Sequence, residues 1–422
     1  MKVKVVDIYK HLLMLSIFYM YTKDLWDTYT GSIFKYLFYI IVFFGIAMFA
    51  LETIGKRRKS DVIIMAGFLG YACYIIYNGK VLSNKAQFSQ GILEYILYTF
   101  YFLAAVYYIR RGRVELKDFK KFVYLGEFIS LCALVEYISQ TAIIPSDNYS
   151  IYYFAGGYSS FRAKVFCVSP MTLCMMLGFL FLLGCYYVFI ERINSGFFIK
   201  YSPVILLIGM FCTGSRGPLI GTVGGLSVLI ALNWIENPLT KKKGIQTLVA
   251  VFAALTFLFV LQMQGGLASI RTGIDGIDNI IKRFSSATDF NNEWGNAARL
   301  EIWTEYIGVF LHNFWNGIGI AQTSATVISN TRRVTESGLL KRLVETGIIG
   351  LLFYGLGVIL TVGKFSIAKK TNDKVCNRER ILTISVFVAI GIEDIVLQMF
   401  ADVMAMYVFW VIIAAYYAKM NP

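Results

Sequence analysis

Apolar runs close to twenty residues long recur along this 422-residue chain, and each is about long enough to cross the hydrocarbon core of a bilayer. Hydrophobic residues make up 57% of the sequence and charged residues only 16%, which excludes an ordinary soluble domain. The runs predict an all-α fold, a polytopic membrane helix bundle that forms a single integral membrane domain over residues 1–422. About twelve spans are predicted, with approximate cores at 5–21, 33–52, 61–78, 91–109, 122–143, 167–190, 198–213, 218–235, 245–263, 344–363, 380–399 and 403–418.

The basic residues lie in short breaks between these runs, so the net charge of +14 indicates membrane topology and does not favour nucleic-acid binding. In a twelve-span arrangement the main basic clusters fall on one side. The positive-inside rule makes that side cytoplasmic, and it places both termini there. The clusters are Lys56–Lys59, Arg110–Lys121, Lys241–Lys243 and Lys369–Arg380.

A long hydrophilic segment, residues 264–343, falls between the ninth and tenth spans and is predicted to be an external loop with short helices. Apolar residues at helical spacing predict a helix over 296–311 that lies on the outer leaflet or packs on the bundle. Long loops cross the membrane largely regardless of charge, and binding of an anionic substrate would explain the basic residues of this one. These residues are Arg271, Lys282, Arg283, Arg299, Arg332, Arg333, Lys341 and Arg342.

The short sequence from Gly214 to Pro218 separates two apolar runs at the outer side. Pro218 suits the first turn of a helix, and Ser215 suits the N-cap position just before it. Free backbone N–H groups, the positive end of a helix dipole and the Arg216 guanidinium would then point at one spot, which suits a phosphate-bearing ligand. The alternative is a tight turn whose arginine reaches the lipid headgroups.

A second arginine, Arg162, precedes Ser169-Pro170, which is another cap-and-proline start of a span that enters from outside. Two such helix beginnings, each with an arginine close by, could clamp a diphosphate. The alternative is that both arginines are ordinary loop residues.

Acidic residues give further candidates. Glu336 stands where the external segment is predicted to re-enter the membrane, and it could accept a proton as a general base. The alternative is that it is a helix-start residue, since acids favour the first turn of a helix. Four more acids lie within or near spans, where charge is costly, and they could line a proton path or a glycan groove, or pair with arginines for structure. These four are Glu127, Glu136, Glu393 and Asp394.

Cysteine and histidine usage gives no support for a metal or other cofactor. The seven cysteines lie mostly within apolar runs without metal-ligand spacing, and the histidines are only His11 and His312. His312 is a second external candidate for a base or substrate contact, although aromatic residues beside it suggest packing. We predict no metal and no cofactor.

Over about residues 120–365 the order and spacing of four motifs resemble the O-antigen ligase and O-antigen polymerase superfamily of bacterial polysaccharide enzymes. The first two correspond to the family's Ser-Arg-Gly turn and to its arginine before a proline-opened span, and the last two to motifs of its large external loop. The motifs are Thr213-Gly-Ser-Arg216-Gly-Pro-Leu-Ile-Gly221; Phe161-Arg162-Ala163 with Ser169-Pro170; Arg299, Trp303 and Asn313-Phe-Trp-Asn-Gly317-Ile-Gly319; and Glu336-Ser337-Gly-Leu-Leu340 with Glu345-Thr-Gly-Ile-Ile-Gly350.

The resemblance implies a GT-C-like, metal-independent inverting glycosyltransferase whose donor is a glycan on undecaprenyl diphosphate. It implies that Arg162 and Arg216, with Ser215, hold the diphosphate and that the arginines offset the charge on the leaving group. Further substrate contacts are expected from Arg299, Arg332, Arg333 and His312.

One difference from the family's motifs bears on whether the enzyme is a ligase or a polymerase. Ligases of the family carry a His-Asn pair where this chain has Glu336-Ser337, and an acid there looks more like the polymerases. The sequence therefore predicts a polymerase of lipid-linked repeat units, for capsule, exopolysaccharide or O-antigen. The alternatives are a ligase that transfers glycan to another acceptor and a polytopic transporter or flippase. Among transporters, inverted repeats are common, and none is visible here.

The same resemblance implies a multi-pass protein of the bacterial cytoplasmic (inner) membrane that works on its outer face. The expected partners are membrane lipids, the undecaprenyl-diphosphate-linked glycan donor and acceptor, a chain-length regulator and a flippase.

Overall fold

The computed structural model describes residues 5–144, 151–153, 159–191, 197–236, 294–324, 326–327, 332–366 and 373–422. The described part is almost entirely helical, as predicted, with one short antiparallel hairpin of strands β1 (Ile151–Tyr153) and β2 (Ser159–Phe161). The helices are α1 (Val5–Tyr21), α2 (Lys23–Thr30), α3 (Ile33–Lys56), α4 (Lys59–Leu82), α5 (Lys85–Gly112), α6 (Leu116–Ser139), α7 (Pro170–Glu191), α8 (Phe197–Cys212), α9 (Arg216–Glu236), α10 (Trp294–His312), α11 (Gly338–Ser366), α12 (Lys374–Val396) and α13 (Val403–Met420).

Within the described residues, eight helices are long and apolar enough to cross a membrane, namely α3, α4, α5, α6, α7, α9, α11 and α13. This confirms a polytopic helical bundle. The predicted spans 5–21 and 198–213 are present as the shorter helices α1 and α8. The predicted span 380–399 lies mainly on α12, which is not among the eight, and the predicted span 245–263 lies outside the described residues.

The chain divides into two compact units. The first contains Met1–Phe119, Glu301–Thr383 and Asp394–Pro422, and the second contains Lys120–Leu300 and Ile384–Glu393. Helices α10 and α12 contribute residues to both units.

In the first unit α5 and α13 pack together and are buried along most of their length, whereas α3 keeps many large apolar side chains exposed. Such a face would be a liability in water, but it is the expected outer surface of a bundle in lipid. Aromatic side chains dominate the buried centre, for example Tyr101 and Trp410, both fully buried.

One end of the first unit collects charged groups from its basic clusters. The Arg110 guanidinium donates two hydrogen bonds to Asp61, at 2.7 and 3.0 Å, and the Tyr417 hydroxyl donates a third at 2.6 Å. Nearby, Lys10 pairs with Asp118 at 2.7 Å. The beginning of α1, the α3–α4 turn and the ends of α5 and α13 therefore share one end of this unit.

The opposite helix ends of the first unit meet the chain segment that follows α10. Asn78 near the end of α4 donates to the Asn316 carbonyl oxygen at 2.6 Å, and Ser83 donates to that of Ile320 at 2.9 Å. Asn84 and Gln87 form a reciprocal capping box at the start of α5. Residues 313–324 thus lie at the end of the unit away from the basic clusters.

The second unit is built on close helix contacts at small residues. A Cβ added to Gly178 on α7 would meet Thr222 of α9 at 2.3 Å, and one on Gly209 of α8 would meet Ser130 of α6 at 2.4 Å. Small residues let helix backbones approach closely where lipid gives no hydrophobic drive for association.

Candidate functional site

The turn between α8 and α9 has a backbone geometry that explains its sequence. Gly214 has φ +58°, a left-handed conformation that glycine adopts without steric cost. The Ser215 N–H donates to the hydroxyl of Thr213 at 3.2 Å, and α9 begins at Arg216. Ser215 is 2% exposed, whereas Arg216 is partly exposed. The predicted helix start with an arginine in its first position is confirmed.

Arg162 lies against this same turn. Its Nε donates to the Thr213 carbonyl oxygen at 2.9 Å, and its Nη2 donates to the Ser215 hydroxyl at 2.6 Å. The Ala163 N–H adds a hydrogen bond to the Cys212 carbonyl oxygen at 3.0 Å. Arg162 is 9% exposed, so its charge is held in a largely buried position. Two arginines that are 54 positions apart in the sequence therefore belong to one local structure, since Arg216 is bonded directly to Ser215.

The start of α7 is the second predicted cap. Ser169 is its N-cap and accepts a hydrogen bond from the Thr172 N–H at 3.1 Å, with Pro170 at the first helical position. One turn further on, the Cys174 thiol lies 3.6 Å from the Ser215 carbonyl oxygen. The beginnings of α7 and α9 are therefore neighbours.

A buried glutamate on α6 holds the stretch that carries Arg162. Glu136 is fully buried, and its carboxylate accepts the N–H groups of Ile143 at 2.8 Å and of Lys164 and Val165 at 3.0 Å each. Val165 has φ +48°, an unfavourable backbone conformation for a β-branched residue. The Glu136 carboxylate accepts the backbone N–H groups there and so fixes the chain between β2 and α7, which carries Arg162. The structural alternative for this acid is therefore supported.

Glu336 marks the point where the chain enters α11. It is partly exposed and has φ +51°, while the next residue, Ser337, caps α11 by accepting from the Leu340 N–H at 3.3 Å. A Cβ added to Gly338 would meet the Asp394 carboxylate at 1.8 Å, so only glycine fits there. Left-handed backbone at a non-glycine residue is a strain that is often found at functional sites.

Helix α10 holds the approach to Glu336. The Trp303 indole N–H donates to the Thr335 carbonyl oxygen at 3.0 Å, and the Tyr306 hydroxyl donates to that of Arg333. Burial raises the pKa of Tyr306 to about 12, so its hydroxyl stays a donor at neutral pH. The predicted helix is confirmed, and its inward face is Trp303 and Tyr306, whereas Leu300 and Ile307 are exposed.

The motif around Gly317 and Gly319 fits into a break in α11. Gly347 has non-helical backbone angles, φ 64° and ψ −172°, which interrupt the helix. The N–H groups of Ile318 and Gly319 donate to the carbonyl oxygens of Val344 and Glu345, at 2.9 and 3.0 Å. The N–H groups of Ile348 and Ile349 donate back to residues 314 and 315, at 2.9 and 3.3 Å. Backbone N–H and C=O groups that lose their helical partners at the break therefore form hydrogen bonds with residues 314–319. An apolar surrounding requires such pairing.

The carboxylate of Glu345 adds further hydrogen bonds between α11 and the stretch after Gly319. It is fully buried and accepts the Tyr95 hydroxyl at 2.6 Å and the N–H groups of Ala321 and Thr323 at 2.7 Å each. The Thr323 hydroxyl donates a further bond at 2.7 Å. Like Val165, Ala321 has a left-handed backbone, φ +56°. A second buried glutamate therefore holds a second loop, the stretch after Gly319, by accepting its backbone N–H groups.

Two basic residues in the first turns of α11 have their partners inside the bundle. Lys341 pairs with Glu94 at 2.5 Å, and both side chains are 4% exposed. The Arg342 guanidinium lies 3.9 Å from the Tyr354 ring centroid and donates to the Tyr71 hydroxyl at 3.0 Å. For these two residues, binding of an anionic substrate is the wrong interpretation, because partners within the protein neutralise or surround their charge. Arg271, Lys282 and Arg283 lie outside the described residues.

The remaining predicted contacts lie on or after α10. Arg299 is partly exposed on that helix, and Arg332 and Arg333 are exposed in the segment before Glu336. Arg333 pairs with Glu301 at 3.0 Å, a surface pair of little energetic weight. His312 is exposed at the end of α10, with Nδ1 2.8 Å from the Gly308 carbonyl oxygen. A carbonyl oxygen only accepts, so Nδ1 carries a proton in this contact.

Residues 202–355 match the protein-family model Wzy_C, described as O-antigen ligase. Over these residues the chain is similar to the O-antigen ligase and polymerase superfamily, as the sequence motifs predict. The matched segment contains the Arg216 turn, α10, and the contact of the Gly317 stretch with α11. This similarity supports a glycosyltransferase-type membrane enzyme. No curated protein matches the sequence.

Within the ranges that the structure describes, no group of three or more His, Cys, Asp and Glu side chains is arranged to hold a metal ion. The roles assigned to individual residues from the sequence remain predictions. Sequence reasoning missed Glu345 and Tyr95 as organising residues. The available signal for Glu345 was an acid placed two residues before a glycine inside an apolar run, which is costly unless the acid has several donors.

The role of Glu136 predicts a local loss of order when its carboxylate is removed. Glu136→Ala should raise amide hydrogen exchange at Lys164 and Val165 by tenfold or more, because three backbone donors lose their acceptor. Hydrogen-exchange mass spectrometry on the purified protein measures this. The matched control is Glu127→Ala on the same helix, a glutamate that is 4% exposed and has an unpartnered Oε1. Equal exchange in both variants would contradict the proposed anchor.

Proposed function

We propose that this protein is a polysaccharide polymerase, an inverting glycosyltransferase that joins undecaprenyl-diphosphate-linked oligosaccharide repeat units on the outer face of the bacterial cytoplasmic membrane. Its product would be capsule, exopolysaccharide or O-antigen. The observation that carries the proposal is the contact of Arg162 with Thr213 and Ser215, which joins it to the turn that begins α9 with Arg216.

The chemistry of this turn suits a diphosphate. The first N–H groups of a helix and the positive end of its dipole attract anions, and Arg216 is the first residue of α9. A guanidinium also offers paired donors that match phosphate oxygens. Arg162 adds a second positive charge whose position is fixed by two hydrogen bonds to the turn. In this proposal Arg216 contacts the diphosphate directly, Arg162 strengthens the local field, and Ser215 orients Arg162.

The reaction is a single displacement. A hydroxyl oxygen of the acceptor glycan attacks the anomeric carbon of the donor, and a new C–O bond forms as the bond to the diphosphate oxygen breaks. The leaving undecaprenyl diphosphate takes the electron pair, and the arginines offset its growing negative charge. The hydroxyl proton passes to a base. No metal is needed in this scheme, because the guanidinium groups supply the positive charge.

Glu336 is the proposed base. Its carboxylate is partly exposed, its backbone is left-handed, and the following residues fix it at the start of α11. An acid followed by Ser337, where ligases of the family carry a His-Asn pair, supports a polymerase over a ligase. A ligase that transfers glycan to another acceptor is the nearest alternative, and the family match supports glycan transfer over a transporter or flippase.

The topology completes the proposal. The basic clusters would face the cytoplasm together with both termini, and the Arg216 turn and the segment before α11 would face outward. A flippase would deliver the repeat units to that face, and a chain-length regulator would limit the polymer.

Arg216→Ala should reduce polymer in cells by about 10²–10³, because a donor that stabilises transition-state charge is lost. Polymer length and amount on a gel, from a deletion strain that expresses each variant to equal level, measure this. Arg216→Lys should keep part of the activity, since the charge remains without the paired donors. The control is Arg111→Ala, an exposed arginine of a basic cluster. Normal polymer from Arg216→Ala would remove this residue from the mechanism.

Glu336→Gln should lower kcat by about 10²–10⁴ and change the KM for the lipid-linked donor by less than about threefold, because only the proton acceptor is lost. Initial rates with purified protein and lipid-linked repeat units measure both constants. Glu301→Gln on α10 is the control, since this exposed glutamate contacts only Arg333 among the interactions described above. An unchanged kcat would exclude Glu336 as the base.

A further inference from the structure

A cavity of about 290 Å³ lies where the end of α4 meets the segment that follows α10. This is close to the lower end of small-molecule sites, roughly 300–1,000 Å³. It belongs wholly to the first unit and lies at the end away from the basic clusters. Its lining includes three asparagines, one histidine and three aromatic residues, which are Asn78, Asn313, Asn316, His312, Tyr77, Phe314 and Trp315.

The polar groups of this cavity are neutral hydrogen-bonding groups. Asn78 is 1% exposed, and while its Nδ2 donates to the Asn316 carbonyl oxygen at 2.6 Å, its Oδ1 is buried without a partner among the described residues. The side chains of Asn313 and His312 are exposed. Among the described residues that line the cavity, none is a lysine or arginine.

The aromatic groups are exposed but held on a rigid backbone. Trp315 is 66% exposed and Tyr77 is 59% exposed. The carbonyl oxygen of Trp315 accepts from the Ile349 N–H at 3.3 Å, and its ring contacts Phe314 edge to face at 5.2 Å between centroids. The Trp315 side chain therefore stands at a fixed place beside the asparagines, and little ordering would be needed when a ligand stacks on it.

We infer that this cavity is a glycan subsite that binds one or two neutral sugar residues of the repeat unit. Sugar hydroxyl groups both donate and accept, which matches amide side chains, and the apolar face of a sugar ring matches an exposed aromatic ring. The lack of lysine and arginine in the described lining separates it from a diphosphate site. The inference rests on the proposed function, because it adds a binding site for the sugar part of the lipid-linked oligosaccharide. This site does not include the arginine turn.

The competing explanation is that Tyr77 and Trp315 belong to the aromatic belt that many membrane proteins place at the lipid headgroups. The belt explains the exposed rings, but it does not explain a cavity that these rings share with three asparagine residues. Tyr36 provides a matched test, since it is 64% exposed in the first turns of α3 and does not line the cavity.

The test uses purified full-length protein in a detergent without a sugar headgroup. Initial rates with the lipid-linked repeat unit should show that Trp315→Ala and Tyr77→Ala each raise KM about tenfold with kcat within threefold of the wild type. Asn313→Ala should raise KM about threefold. Tyr36→Ala should leave both constants unchanged. Because all four side chains are exposed, the variants should fold, and gel filtration checks this.

A second measurement separates this inference from the proposed function. The oligosaccharide released by mild acid from the lipid-linked repeat unit should show saturation-transfer NMR signals with wild-type protein and lose them with Trp315→Ala. Such signals without any polymerisation would retain the subsite and reject the polymerase. Unchanged KM in Trp315→Ala and Tyr77→Ala, or an equal rise in Tyr36→Ala, would overturn the subsite.

Discussion

Two fully buried carboxylates hold the loops on which the candidate site depends. In an apolar bundle, backbone N–H groups that leave a helix find no water, so the protein must supply their acceptors. Glu136 does this for the stretch beside Arg162, and Glu345 does it for the stretch after Gly319. Each glutamate accepts from a residue with a left-handed backbone, Val165 or Ala321. Burial of a carboxylate is costly, and three or four donated hydrogen bonds offset that cost.

Each anchored loop in turn fixes a functional surface. Beside Glu136, the chain brings the Arg162 guanidinium to the turn where α9 begins, and two hydrogen bonds set its orientation. Beside Glu345, the Gly317–Gly319 backbone enters the break in α11 and presents Trp315 at the surface. The charged turn suits a diphosphate, and the neutral cavity suits sugar residues.

Part of this arrangement follows from the sequence because it is local. Apolar length predicts the helices, and proline and serine at their first positions predict where α7 and α9 begin. The family motifs point to Arg162 and Arg216, and the structure brings Arg162 against the turn that contains Arg216. The break at Gly347 and the β1–β2 hairpin were not predicted. The break is invisible in hydropathy, because the residues around it are apolar and its hydrogen bonds come from residues about thirty positions earlier. For the same reason Lys341 looked external, although Glu94, nearly 250 positions away, neutralises it inside the bundle.

The most direct test of the central claim is a product ladder from purified components. Wild-type protein incubated with the lipid-linked repeat unit should convert it into a ladder of longer glycans on undecaprenyl diphosphate, and Arg162→Ala should lose this ladder while remaining folded. A ladder from wild type that persists at full rate in Arg162→Ala, or no elongation by wild-type protein at all, would contradict the account of arginines that hold a lipid diphosphate during sugar transfer.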